Sequence, residues 1–131
     1  MNGSDLMDAL YKAKDIDTGE WVEGNLFVLN GIPYIKNEYE TVHIDDETIC
    51  FIFYFDSQTG RRIWENDIFE FDGLLFVIQY LEANGMFLAV SLINGDAFPL
   101  ENIYRIINNV TIVGNFYDNP ELLGMEAEND S

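Results

Sequence analysis

Few residues in this sequence could do chemistry. One histidine, His43, and one cysteine, Cys50, stand among 24 carboxylates and 6 basic side chains. A zinc site wants several His or Cys donors, and His43 has no second histidine and no cysteine pair to join it. As a general base it would need a nucleophile within hydrogen-bond reach, and its neighbours supply none, so a strand or surface position is expected. Cys50 lies inside the apolar run 48–55. A thiol there behaves as a small hydrophobe, because a reactive thiolate needs a cationic neighbour. A lone cysteine also forms no internal disulfide, which suits a reducing compartment.

The carboxylates do not add up to a site either. Asp15-Ile-Asp-Thr-Gly19 opens with the oxygen spacing of a calcium loop, but Gly19 stands where a ligand is needed and Leu26 holds the twelfth position, where glutamate closes such a loop. A turn is expected there. Asp45-Asp46-Glu47 reads as a solvated turn or helix start. With 24 acids, two at hydrolase-like separation would mean little, since acid–base work also needs a cleft that separates their pKa values. No catalytic, cofactor-binding or metal-ligating residue is therefore expected, and the chain is not read as an enzyme. Arg61 and Arg62 beside Trp64 form the one basic-aromatic cluster that the sequence displays. It is too small for a nucleic-acid footprint and suits pairing with nearby acids or a contact with a protein partner.

Charge sets the class of partner. The formal net charge is −18 over 131 residues. Residues 1–60 hold 12 acids and 3 bases and residues 61–131 hold the same numbers, so the field belongs to the whole chain and not to a tail. Such a field repels nucleic acid and anionic membranes. The start, Met-Asn-Gly-Ser-Asp-Leu-Met, has neither the basic nor the apolar region of a signal peptide, and no apolar run approaches the ~20 residues of a membrane span. A cytoplasmic location is expected.

The elements that would position these residues are short strands. The 48% apolar content, 15% of the chain being aromatic, is enough for one domain over residues 1–131 without disulfide or metal, with a division into 8–55 and 56–123 as a finer reading. Residues 9–14 alternate weakly as a strand, and Trp21 to Leu29 return after the Asp15–Gly19 turn, with Gly24 a candidate bulge. Asn30-Gly31 is a strong hairpin signal, and Ile32 to Lys36 is the partner strand. Residues 37–41 connect, and 44–48 suggest a turn or a single helical turn. The apolar run 48–55 reads as a strand covered on both faces, although its period alone does not tell it from a buried helical segment. Asp56, Thr59 and Gly60 have the chemistry of a structural turn, followed by one strand through Ile63 to Phe71. Asp72-Gly73, Asn84-Gly85 and Asn94-Gly95 then punctuate a meander of 74–81, 86–93 and 97–98. Pro99 to Arg105 suits a helical turn, and 110–117 a last strand. Asn119-Pro120-Glu121 reads as cap and first turn of a closing helix that Gly124 ends. The two units Asp15-x-x-Thr-Gly19 with Trp21 and Asp56-x-x-Thr-Gly60 with Trp64 echo each other. Duplication and the common needs of such a turn both account for that echo.

Three segments carry a resemblance. Trp21-Val-Glu-Gly-Asn-Leu26, Asp56-x-x-Thr-Gly-Arg-Arg-Ile-Trp-Glu-Asn-Asp-Ile68 and Ile112-Val-Gly-Asn-Phe-Tyr-Asp-Asn-Pro-Glu-Leu-Leu123 resemble, in the same order, the motifs of the YopX family of phage and prophage proteins. The likeness spans about residues 9–123. Departures are the apolar Ile49-Cys-Phe-Ile-Phe-Tyr54 in place of a polar, glycine-containing stretch, and Asn66 in place of glycine. The resemblance implies an all-β, SH3-like barrel or roll with a short C-terminal helix, and a phage accessory protein with no assigned chemistry. It transfers no catalytic residue.

Three functions follow as expectations. The first is a non-enzymatic accessory protein of the bacterial host's cytoplasm, working through contacts with a protein partner or a second copy of itself, without direct binding of nucleic acid or membrane. The second is an acidic DNA mimic that occupies the basic cleft of a host nuclease or DNA-binding protein. A small hydrolase is the least favoured.

Overall fold

The computed structural model describes residues 10–56, 58–100 and 110–123. The chain is all-β, as expected, and divides into two compact units that meet in sequence at Arg62 and Ile63.

In the first unit, β1 (Tyr11–Lys14), β2 (Trp21–Leu29), β3 (Ile32–Lys36), β4 (Thr41–His43) and β5 (Cys50–Phe55) form an antiparallel sheet in the order β4-β3-β2-β1-β5. Ala13, Val22, Ile35 and Ile44 make its buried core, with Tyr11, Leu26, Val42 and Ile49 packed against them. The β2–β3 hairpin closes through Asn30 (φ 55°) and Gly31 (φ 81°), with Leu29 opposite Ile32. Two consecutive left-handed residues are what a two-residue loop needs to match strand twist, and Asn-Gly is the pair that adopts them at least cost. A 3-10 turn over Asp46–Thr48 follows β4, and the Asp45 side chain accepts from Glu47 N–H at its start.

Three expectations in this unit are corrected. Gly24 is not a bulge: Tyr11 to Lys14 pair with Gly24 to Trp21 without a slip. Its glycine is needed because a Cβ would land on the Lys36 carbonyl oxygen. Thr41, expected as the end of the connection, instead opens β4, which pairs with Tyr34 to Lys36 and carries His43 at its end. In β5 only Cys50 is buried; residues 51–55 are half-covered, so the apolar run is not a fully enclosed strand.

In the second unit, β7 (Asp67–Phe71), β8 (Leu74–Leu81), β9 (Met86–Ser91), β10 (Ala97–Pro99) and β11 (Thr111–Asn115) pair antiparallel in the order β10-β9-β8-β7-β11. The short β6 (Arg62–Trp64) precedes them. Ile63, Trp64, Ile68, Phe69, Val77, Ile78 and Ala89 are buried. Cross-strand rings add to this burial, with Phe69 stacked on Phe76 at 5.3 Å and Tyr80 against Phe87 at 4.9 Å. Asp72-Gly73 repeats the left-handed pair of the first hairpin, at φ 55° and 81°.

The expected single strand from Ile63 to Phe71 is in fact β6, a turn and β7. Asn66 takes φ 74°, and the buried Asp67 carboxylate accepts Trp64 N–H at 2.9 Å, so Trp64 to Asp67 closes on itself instead of extending. Pro99 ends β10 opposite Leu88 and does not begin a helix, while residues 101–105 of that expectation lie outside the described residues. Residues 120–123 are helical, as read from the sequence. Among the described residues neither sheet closes into a barrel, and no helix is long and apolar enough to cross a membrane.

Candidate functional site

One turn geometry positions much of the chain. At Asp15, the backbone N–H donates to Glu20 O (2.8 Å), the carbonyl accepts from Gly19 N–H (2.9 Å), and Oδ1 accepts from Asp17 N–H (2.8 Å). Thr18 Oγ1 then accepts from Glu20 N–H at 3.2 Å. Asp56 repeats every bond, with Arg61 O, Gly60 N–H, Gln58 N–H and the Thr59 hydroxyl in the same places. Gly19 and Gly60 sit at φ 77° and 78°. Ser91 builds the turn a third time with other side chains: its N–H reaches Asp96 O, its Oγ accepts from Ile93 N–H, Asn94 stands in for the threonine, and Gly95 has φ 79°. Since Ser-x-x-Asn-Gly achieves what Asp-x-x-Thr-Gly does, the turn chemistry explains the sequence echo without duplication.

Asn66 is a node that the sequence did not announce. Its left-handed backbone suits glycine or asparagine, which accounts for the exchange at this position. Its side chain adds bonds that glycine lacks, donating to Tyr117 Oη (3.1 Å) and accepting from Gln79 Nε2 (2.9 Å). Its backbone donates to Ile78 O and accepts from Phe116 N–H. The turn after β7's neighbour β11 is held just as closely. Asn115 Oδ1 accepts from Tyr117 and Asp118 N–H, and its Nδ2 donates to Asp118 Oδ2. Asn119 is not the expected side-chain cap of the helix: its Oδ1 turns back to accept from Asn115 N–H at 3.0 Å, while Nδ2 donates to Glu121 Oε2. A Cβ at Gly114 would collide with that same Asn119 side chain. Gly-Asn-x-x-x-Asn in the closing segment is thus one interlocked turn.

The residues singled out for chemistry stay apart. His43 is exposed on β4, its ring tilted over Tyr34 at 5.8 Å. Cys50 is buried, with Sγ directed at Thr48 O. No group of three or more His, Cys, Asp or Glu suited to a metal ion occurs among the described residues. Trp64 is only 4% exposed, so its ring belongs to packing. Arg62 lies over the Phe55 ring at 4.7 Å and meets Glu23 Oε1 at 3.8 Å. Arg61 is half-buried and donates its backbone N–H to Thr59.

Sequence reading missed a second basic-aromatic group. Lys12 and Lys14 lie two apart on β1, hence on one face, with their Nζ atoms 4.3 and 5.3 Å from the Trp21 ring across the ladder. The signal was present as Lys-x-Lys, but only the pairing of Lys14 with Trp21 brings the groups together.

The β2–β3 tip presents several exposed apolar side chains together. β1 pairs with β2 only as far as Gly24, so Asn25 to Leu29 have only β3 beside them among the described residues. Val28 is 63% and Leu29 57% exposed, and Phe27 and Ile32 are exposed beside them. No charged residue lies between Glu23 and Lys36. Phe27 stacks on Tyr34 at 5.3 Å and stiffens the base of the tip.

An antiparallel all-β protein whose signature residues build turns is thus defined. The YopX protein family model matches residues 10–124, and the chain belongs to that family. No curated relative matches the chain.

Proposed function

We propose that this YopX-family chain is a non-enzymatic phage accessory protein that works in the bacterial cytoplasm by contacting another protein through its β2–β3 hairpin. The exposed apolar tip carries this reading: Val28, Leu29, Phe27 and Ile32 are presented to solvent in a stretch free of charge, within a chain of net charge −18. Aromatic and aliphatic anchors of this kind supply most of an interface's energy when a partner desolvates them. The acidic surroundings favour a partner whose apolar pocket has a basic rim, which also speeds encounter.

The test places a photo-crosslinker at Val28 and, as a control, at exposed Ile16 in the full chain, in host lysate at low and high salt. A discrete adduct from position 28 that Leu29→Asp abolishes, with an unchanged circular-dichroism spectrum, supports the reading. Capture that survives Leu29→Asp and vanishes with salt overturns it in favour of acidic mimicry.

A further inference from the structure

Asn-Gly pairs recur in this chain at Asn30-Gly31, Asn84-Gly85 and Asn94-Gly95, and Asn2-Gly3 lies outside the described residues. Asparagine before glycine is open to a self-reaction, because no side chain on the glycine hinders its nitrogen. That nitrogen, after losing its proton to a base in solution, attacks Asn Cγ. A C–N bond forms, the side-chain nitrogen leaves as ammonia, and a five-membered succinimide results. Water then opens either ring carbonyl, giving aspartate or isoaspartate. The balance is one water in and one ammonia out, with no oxidant or reductant.

The three described pairs differ in what holds the reacting atoms. At Asn94 both are engaged: Oδ1 accepts from Asp96 N–H at 2.9 Å, and Gly95 N–H donates to Ser91 O at 2.9 Å. At Asn84 the nucleophile is engaged, since Gly85 N–H donates to Leu81 O at 2.9 Å. At Asn30 neither the side chain nor Gly31 N–H makes a hydrogen bond among the described residues. The pair must rotate out of its left-handed conformation to react, and the Leu29–Ile32 end of the ladder, whose side chains are exposed, is what resists that.

We infer that Asn30 is a spontaneous modification site of the folded protein, converting ahead of Asn84, with Asn94 the most protected. Its product changes the hairpin in two ways. Either product adds a negative charge to the uncharged stretch between Glu23 and Lys36. The isoaspartate form also puts an extra methylene into the main chain of a two-residue loop whose length sets the register of Leu29 opposite Ile32. The inference stands on the hydrogen bonds alone and holds whether or not the hairpin meets a partner.

The experiment incubates the full chain in mildly alkaline buffer and follows each Asn-Gly peptide by mass spectrometry, in parallel with a sample unfolded in urea. In the folded chain Asn30 should convert about fivefold or more faster than Asn94, the factor expected when a hydrogen bond must first break. In urea the described sites should converge. Gly31→Ala should slow conversion at residue 30 in both samples. Equal rates in the folded chain, or Asn84 or Asn94 converting first, would overturn the inference.

Discussion

Replacing Gly114 by alanine tests whether the closing motif is one interlocked unit. The new Cβ would meet the Asn119 side chain, whose Oδ1 accepts from Asn115 N–H at 3.0 Å and whose Nδ2 donates to Glu121 at 3.1 Å. Gly114 has no left-handed φ, so alanine meets no backbone strain there. Asn119 must either stay and strain the bulge between Ile112 and Gly114 or swing away and abandon both bonds. Overpacking costs about 1–3 kcal/mol and a lost hydrogen bond about 1 kcal/mol, against roughly 0.4–1 kcal/mol returned by the stiffer unfolded chain. A net loss of about 1–3 kcal/mol is expected. Asn119→Ala alone should cost about 1–2 kcal/mol for the freed Asn115 N–H. The two changes together should cost little more than Asn119→Ala by itself, because truncation removes the Oδ1 and Cγ that obstruct the methyl group. Only the Cβ of residue 119, 3.1 Å away, is then left to give by a few tenths of an ångström. Urea titration followed by Trp64 fluorescence in a Trp21→Phe background reads the unit that contains the change. The interaction energy should be about 1–3 kcal/mol in the sense of rescue. Additive losses would refute the interlock and leave Gly114 a merely local requirement.

Other outcomes follow from the same geometry. Gly24→Ala should cost about 1–3 kcal/mol in urea titrations, and no second-site truncation at a side chain should rescue it, since its Cβ meets the backbone oxygen of Lys36. At residue 60, where φ is 78° and no atom lies within 4 Å of a built Cβ, valine should cost about 1–3 kcal/mol through backbone strain and asparagine much less; equal melting of the two variants would show that strain is not the cause. Arg62→Ala should lower the melting temperature while Arg61→Ala changes it little, because Arg62 covers the Phe55 ring and meets Glu23; the reverse order would displace Arg62 from its structural role. At net charge −18 the melting temperature should rise between low and physiological sodium chloride as repulsion is screened beyond ~8–10 Å, and a flat or falling value would count against a dispersed acidic field.

Local chemistry made the β framework legible. Asn30-Gly31 and Asp72-Gly73 fix two-residue hairpins because few other pairs hold two left-handed residues in succession, and Asp56, Thr59 and Gly60 each take a place in a turn whose bonds span six residues. β2, β3 and β8 accordingly begin and end where turn residues say they should. What eluded sequence reading depends on partners far along the chain. Asn66, between Glu65 and Asp67, looks like any polar residue until Gln79, 13 residues on, and Tyr117, 51 residues on, close around it. Gly24 reads as a bulge until Lys36 is seen against it, and Trp64 reads as a contact residue until its burial is known. The exposed tip followed the same rule: Leu26 and Val28 are both apolar, and the sequence does not say that β1 stops at Gly24 and leaves Val28 in solvent while Leu26 packs on the core. Turn geometry is set by the rotational freedom of a few neighbouring residues, so the sequence by itself determined it. Burial and node chemistry are set by which strands meet and in what register, and only the tertiary structure decided those.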